Sequence, residues 1–293
     1  MDGVLIVDKE QDWTSHDVVA RIRKLFHQKK VGHTGTLDPM AVGVLVVCLG
    51  RATRIIRFLD SEEKAYSAEI RLGITTDTFD AEGKVTESKE VPEFTLEDLE
   101  AACEPFRGRI QQLPPMFSAV KVSGKKLYEL ARKGQEISRK PRTVTVSELN
   151  ILSYRTPLLR IRVVCSKGTY IRALAHDIGE RLSTGAHLTA LRRTRCGRFT
   201  EAQSLTLNQV ASGVEDGTID KNVLSMDEAL SPLLRVQLSG VEEGRFRNGA
   251  PVHRWDILEH RDGEETARVI GAGGDFLGIA QCGEVLKPVC VFA

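Results

Sequence analysis

Apolar residues recur along this chain with two periods. Residues 4–7 form an unbroken apolar run, the pattern of a strand, and behind it Val18, Val19, Ile22, Leu25 and Phe26 recur at helical spacing, with Ser15 the expected cap. A second pair repeats the arrangement: residues 43–49 read as a buried β-branched strand, and Ala52, Ile55, Ile56 and Leu59 as one helical stripe. Between the two pairs lies a glycine-bearing loop, residues 32–40. Tyr66, Ala68, Ile70 and Leu72 alternate with Ser67, Glu69 and Arg71, so one face of this strand is protected and the Tyr66 ring lies on it. Thr95 with Asp98 opens a helix through Leu96, Leu99, Cys103 and Phe106. Strands follow over 144–154 and 158–165, and Thr169 is expected to cap a helix carrying Ile171, Leu174, Ala175, Ile178 and Leu182.

The spacing mixes hairpins with crossovers, which predicts an α+β fold with a mixed sheet rather than a regular parallel array. The capping box from Ser225 to Glu228 starts a last short helix, and Ser231-Pro232 breaks the chain after it. Beyond that point short apolar strands over 267–270, 276–282 and 285–292 alternate with glycine-bearing turns. The expected division is therefore a large domain over 1–230 and a small β-rich domain over 231–293.

Composition narrows the class. The 293 residues are 41% hydrophobic and 28% charged, ordinary for a globular protein, and no apolar run approaches the ~20 residues of a membrane span. No signal-peptide pattern opens the chain, so a cytoplasmic location is expected. The six cysteines are scattered without a CxxC pair and read as reduced, buried thiols. A formal net charge of +1 gives no argument for a nucleic-acid partner by its sum, but its distribution is uneven. Residues 87–104 carry seven acids against one base, residues 121–142 carry eight bases against two acids, and four of the seven residues over 192–198 are arginine. Each run taken alone reads equally well as solvated surface.

Two residues stand out chemically. Asp38 precedes Pro39, which keeps it out of helix, and Gly32 and Gly35 flank it in a loop that either presents His33 and Asp38 to a partner or forms a plain turn with Asp38 capping an amide. Arg172 falls in the first turn of its helix, where a cation opposes the macrodipole; an anion beside it, or plain solvent exposure, would account for it. There is no phosphate loop, no dinucleotide fingerprint, no HExxH and no zinc-deaminase signature, so no metal or cofactor is expected.

The segment GHTGTLDPMAVGVL, residues 32–45, resembles the catalytic motif of the TruB-type tRNA pseudouridine synthases. The likeness extends through residues 3–9, through Lys64-Ala65-Tyr66 with Leu72-Gly73 and residues 76–80, through residues 112–121, and through residues 167–172 with Leu174, Asp177 and Gly179, ending at residues 191–194. It implies a pseudouridine synthase catalytic domain with a small PUA-like domain behind it. It also implies isomerisation of uridine 55 in the T-arm of tRNA without a cofactor, by a monomer needing no protein partner. Asp38 corresponds to the catalytic aspartate, Tyr66 to the tyrosine lying against the base, and Arg172 to the arginine paired with the aspartate. Leu191 matches an apolar contact of the pocket, His33 the histidine filling the gap left by the uridine, and Lys9 a lysine supporting the site, grouped here with the substrate-binding residues.

The basic run 121–142, with Lys121, Lys125, Lys126, Arg132 and Lys133, resembles the family's RNA-gripping insertion and would meet phosphates. Glu10, Asp12 and Val42 depart from the proline, glycine and threonine usual there. The rival readings are a non-catalytic tRNA-binding or tRNA-folding protein, which would need none of Asp38, Tyr66 and Arg172, and a pseudouridine synthase acting on another RNA. The short C-terminal segment favours the stand-alone type over relatives that work in guide particles.

Overall fold

The structure, a computed structural model, describes residues 1–59, 63–118, 120–122, 124–131, 134–135, 137–253 and 265–292, with Lys121, Lys125, Lys126, Tyr128 and Glu265 described by their backbone. In chain order the first half comprises β1 (Gly3–Lys9), α1 (Ser15–Leu25), β2 (Val31–Thr34), β3 (Val42–Leu49), α2 (Ile56–Leu59) and β4 (Lys64–Leu72). The hairpin β5 (Ile74–Thr76) and β6 (Val85–Ser88), α3 (Leu96–Cys103), β7 (Gly108–Gln112), the short ribbon β8 (Lys121–Val122) and β9 (Lys125–Lys126), and α4 (Leu127–Ala131) follow. Then come β10 (Arg142–Arg155), β11 (Leu158–Cys165), α5 (Ile171–Arg181), β12 (Ala186–Cys196), β13 (Phe199–Thr200), α6 (Leu207–Glu215) and α7 (Met226–Ala229). The chain closes with β14 (Leu234–Gln237), α8 (Gly240–Arg247), β15 (Glu265–Ile270), β16 (Phe276–Cys282) and β17 (Leu286–Val291).

The main sheet runs β1-β3-β12-β4-β11-β10-β7, with β2 beside β3 and β13 beside β12. Only β12 and β3 are parallel in it, so the sheet is mixed, as the α+β expectation required. Its two faces explain the sequence pattern. Leu5, Val7, Leu45 and Val47 face α1, α5 and α6, while Val4, Ile6, Val44 and Val46 face the other way, against Ala52, Ile55, Ala229 and, from the second sheet, Ile279, Cys290 and Phe292. Strands β1 and β3 are thus covered on both sides and read as continuous apolar runs. Strands β4 and β11 are covered on one side only, and they alternate: Ile70, Leu72, Leu159 and Ile161 are buried, whereas Arg71, Arg160 and Arg162 are exposed.

Strands β14 to β17 form a separate four-stranded sheet around Val236, Phe246, Val269 and Leu277. It is joined to the main sheet by the Ile279, Cys290 and Phe292 contact and by Arg54, whose Nη1 donates to the Val291 carbonyl at 2.7 Å.

Three local expectations are corrected. The cap of α1 is Thr14, not Ser15, because Thr14 and Asp17 complete a reciprocal capping box. The cap of α5 is Tyr170, not Thr169: Gln112 accepts from the Tyr170 amide at 2.7 Å, and Thr169 donates its hydroxyl to the Ser166 carbonyl instead. The stripe through Ala52 to Leu59 is a 3-10 helix over Gly50–Ile55 running into the single turn of α2.

At Gly43, φ is +101° and an added Cβ would collide with the Arg193 carbonyl oxygen where β3 meets β12. Gly43→Ala is expected to destabilise the protein by about 3 kcal/mol or more, since backbone strain and a backbone clash coincide. A thermal midpoint within a degree of wild type would contradict this.

Candidate active site

The edge of β3 opposite β1 changes partner along its length. β12 pairs there with Val42 and Gly43, and β2 pairs with residues 46–49. The connection from β2 to β3, residues 35–41, therefore emerges where two strands part, and Asp38 stands on it. Three contacts fix this loop. The Ser15 hydroxyl accepts from the Leu37 amide at 2.9 Å and donates to the Leu37 carbonyl at 3.1 Å. Lys9 is fully buried, and its Nζ donates to the carbonyls of Glu10, Trp13 and Pro39 at 2.9, 2.6 and 3.0 Å. The Pro39 carbonyl also accepts from the Asp12 amide at 3.0 Å. Asp12 has φ +65°, a left-handed conformation that glycine adopts most readily and aspartate tolerates, so this departure leaves the turn intact.

Arg172 organises the charge. Its Nε donates to Asp38 Oδ2 at 2.9 Å and its Nη1 to Asp80 Oδ2 at 2.9 Å. The same guanidinium donates to the Thr78 carbonyl at 3.1 Å and to the Phe117 carbonyl at 2.9 Å. A cation in the first turn of α5 thus has the anions its position calls for, one of them Asp80, to which no role had been assigned from the sequence. Asp80 is held in turn by the Thr78 hydroxyl at 2.5 Å and the Glu82 amide at 3.1 Å. The preceding Phe79 is left-handed, φ +65°, with its ring stacked on His176 at 4.0 Å. Burial lifts the Asp38 carboxyl above the usual carboxylate range; Arg172 and Lys9 oppose this, and Asp80 adds to it. Burial also pushes the Lys9 ammonium down to about 8, against the pull of Asp38.

Asp38, Tyr66, Arg172 and Leu191 line one cavity of about 550 Å³, together with Gly35, Lys64, Lys167 and Arg193. The sheet places them there: Tyr66 lies opposite Arg193 in the β4–β12 register, and Leu191 opposite Ala68. Arg193 is fully buried, and its guanidinium donates to the carbonyls of Val44 at 2.7 Å and Gly35 at 3.1 Å. It also meets the Tyr66 hydroxyl, yet burial outweighs its charge and lifts the phenol to about 12.

The remaining expected residues lie elsewhere. Lys9 sits beneath the loop, outside the cavity lining, with its ammonium committed to carbonyls. His33 is on β2 outside the cavity lining, its ring edge-on to His16 at 5.8 Å. Lys121, Lys125 and Lys126 fall on the β8–β9 ribbon, Lys121 opposite Lys126, while Arg132 and Lys133 lie outside the described residues. Among the described residues no cluster of His, Cys, Asp and Glu is arranged for a metal ion.

The TruB family pseudouridylate synthase (N terminal domain) model matches residues 23–171, and the tRNA pseudouridylate synthase B C-terminal domain model matches residues 172–231. The chain belongs to the TruB family of pseudouridylate synthases. It is 45% identical to the tRNA pseudouridine synthase B of Syntrophotalea carbinolica, over 94% of this chain and 90% of that one. It is 41% identical to that of Bacillus pumilus, over 95% and 92%. Among solved structures it resembles a Cbf5-Nop10-Gar1 complex, with a TM-score of 0.76 at 28% identity over 99% of this chain and 85% of the other. An H/ACA RNP bound to a substrate RNA containing 2′-deoxyuridine gives the same TM-score at 26% identity, with the same coverage. The enzyme is thus an isomerase acting on tRNA, and the cavity holding Asp38 is where its family motif converges. The boundary between the two matched segments falls at the first residue of α5, ahead of β12 of the main sheet, so it marks no structural division.

Asp80→Asn should remove one anchor of the Arg172 guanidinium and one negative charge that raises the Asp38 pKa. The expected result is a kcat lower by about tenfold or more, as misplacement of a catalytic group costs, with the acidic limb of the pH-rate profile moved to lower pH. A limb moved upward would show that Asp80 does not act on Asp38 in this way.

Proposed function

We propose that the enzyme isomerises uridine 55 in the T-arm of tRNA, with Asp38 as the catalytic carboxylate. The observation that carries this reading is the pairing of Asp38 with a buried arginine at the mouth of a cavity of nucleotide size. Its side chain is 38% exposed, open to what enters, while its partner Arg172 is 5% exposed. Breaking the glycosidic bond, turning the base and joining C5 to C1′ require that the nucleotide leave its stack and that water be kept from the detached base. Leu191 and the Tyr66 ring supply apolar walls for that base. Lys167 and Arg142, exposed at the rim, are placed to meet flanking phosphates.

Asp38 acts either as nucleophile at C1′ or as base at C2′, and in both cases the ionised form is required. Arg172 provides for that ionisation in a site whose burial opposes it. With its pKa raised to about 12, Tyr66 is a neutral phenol at pH 7. It stacks against the base, and its hydroxyl takes the C5 proton while releasing its own to solvent.

The basic ribbon and α4 over 121–142 grip the RNA, the segment from 231 onward serves as a PUA-like RNA-binding domain, and the enzyme works as a cytoplasmic monomer without a protein partner. The relatives at 41–45% identity favour tRNA over another RNA, although one of the matched solved structures is an H/ACA RNP bound to a substrate RNA.

Incubating the purified enzyme with unmodified tRNA and mapping pseudouridine by sequencing should show product at position 55; product only at other positions would overturn the T-arm assignment. Asp38→Asn should fold and bind tRNA but lose isomerisation by at least about a thousandfold, the scale at which a covalent or acid-base group acts. Near-normal tritium release from that variant would remove Asp38 from the chemistry. Tyr66→Phe should keep tRNA affinity and lose most product, whereas full activity would confine Tyr66 to stacking.

A further inference from the structure

Between Val18 and Leu59 the sequence carries eight bases, Arg21, Arg23, Lys24, Lys29, Lys30, Arg51, Arg54 and Arg57, against the single acid Asp38, in a chain whose formal net charge is +1. All eight are exposed. The fold gathers them on one edge of the molecule. Among the described residues β2 pairs with β3 alone; its Thr34 end meets Cys196 of β12, and its Val31 end runs between α1 and the 3-10 turn with α2. The segments meet there: Arg23 donates to the carbonyls of Lys29 and Val31 at 3.1 and 3.4 Å, and the Gly50 amide donates to the Lys30 carbonyl at 2.8 Å.

Elsewhere on the surface arginines face carboxylates, as Arg160 faces Glu69, Arg192 faces Asp8 and Arg268 faces Asp227. On this edge only Arg51 does so, with Asp2 at 2.6 Å, among the described residues. Arg23 and Arg54 are committed to backbone carbonyls, and Arg57 lies over the Phe58 ring. Mutually repelling cations gathered with only one carboxylate partner among the described residues, on a nearly neutral protein, weaken its fold slightly and attract a polyanion strongly.

Distance connects this edge to the active site. The N-terminal end of α1 touches the catalytic loop through Ser15 and Leu37, and the helix rises about 9 Å from there to Arg21 and about 14 Å to Lys24, with the Lys29-Lys30 pair beyond its C-terminal end. β2 then returns from Lys30 to the loop that bears Asp38. An RNA whose target nucleotide enters the cavity must continue outward from it, and a helical segment beside that nucleotide spans such a distance.

We propose that the edge formed by Arg21, Lys24, Lys29, Lys30, Arg54 and Arg57 is a second phosphate-docking surface, which holds the double-helical stem flanking the target uridine. It is distinct from the basic ribbon over 121–142, which is placed on the far side of the sheet order, next in sequence to β7 and β10. The proposal rests on tRNA being the substrate.

The test is a quadruple variant, Arg21→Gln, Lys24→Gln, Lys29→Gln and Lys30→Gln, whose four side chains have no hydrogen-bond or ion-pair partner among the described residues. With wild type forming pseudouridine in the same assay, the variant should bind tRNA at least about tenfold more weakly at moderate salt. The slope of log K against log salt should be shallower by about two to four, as loss of two to four phosphate contacts requires. kcat at saturating tRNA should be unchanged, so the loss falls on KM. The effect should shrink on a hairpin trimmed to the loop and its closing base pairs, and the Lys24→Arg, Lys29→Arg, Lys30→Arg variant should retain wild-type affinity. Unchanged affinity and slope in the glutamine variant would overturn the proposal. So would an undiminished effect on the trimmed hairpin, an equal loss in the arginine variant, or binding to anionic phospholipid vesicles that depends on these residues while tRNA affinity does not. A wild-type protein that forms no pseudouridine would instead overturn the reading of the substrate.

Discussion

The site depends on one buried guanidinium. Arg172 spends each of its faces on a different segment of the chain: Asp38 on the loop between β2 and β3, Thr78 and Asp80 after β5, and the Phe117 carbonyl on the way to the β8–β9 ribbon. A charge with 5% exposure is costly unless it is paired and hydrogen-bonded, and here four partners share the task. The same geometry that offsets the cost of burying the arginine draws three remote segments together around a cavity. The planar fork matters as much as the charge, because a lysine ammonium could not reach Asp38, Asp80 and two carbonyls from one position.

Around that guanidinium the fold supplies rigidity rather than chemistry. β3 divides one edge between β12 and β2, which opens the gap through which the loop bearing Asp38 passes, and Lys9 and Ser15 fasten the loop from below. Arg193 plays a parallel part on the opposite wall, where it joins β12 to the Gly35 carbonyl of the same loop and meets the Tyr66 hydroxyl. The result is a pair of buried arginines, each beside one side chain of the cavity: Arg172 works against the burial that favours a protonated Asp38, and Arg193 against the burial that holds Tyr66 neutral. In both cases burial is the larger effect, and Arg172 alone adds a salt bridge.

Much of this was legible in the pattern of residues, and the exceptions have physical causes. Strands buried on one face, such as β4, announce themselves by alternation, and those buried on both, such as β1 and β3, by continuous apolar runs. β12 did neither. It is a central strand that carries Arg192, Arg193 and Arg195, and bulges at Leu188/Ala190 and Arg193/Arg195 shift its alternation twice. Asp38, Tyr66 and Arg172 were found because a motif marked them, and the misplaced cation of Arg172 signalled independently that an anion was near. Asp80 and Arg193 were given no site role, since one stood only inside the motif-like segment 76–80 and the other among four clustered arginines. Their roles follow from tertiary contacts between positions 92 and 127 residues apart, which no local pattern records. The signal that could have found Arg193 was its place directly opposite Tyr66, had β12 been recognised as a strand.

The most direct test of the central claim is a carbon-13 NMR titration of the Asp38 carboxyl in aspartate-labelled enzyme, assigned by the Asp38→Asn spectrum and repeated in Arg172→Ala. If the buried guanidinium is what keeps this carboxylate ionised against desolvation and Asp80, its titration midpoint must move to higher pH when the guanidinium is removed. A midpoint that is unchanged or lower in the alanine variant would contradict the account.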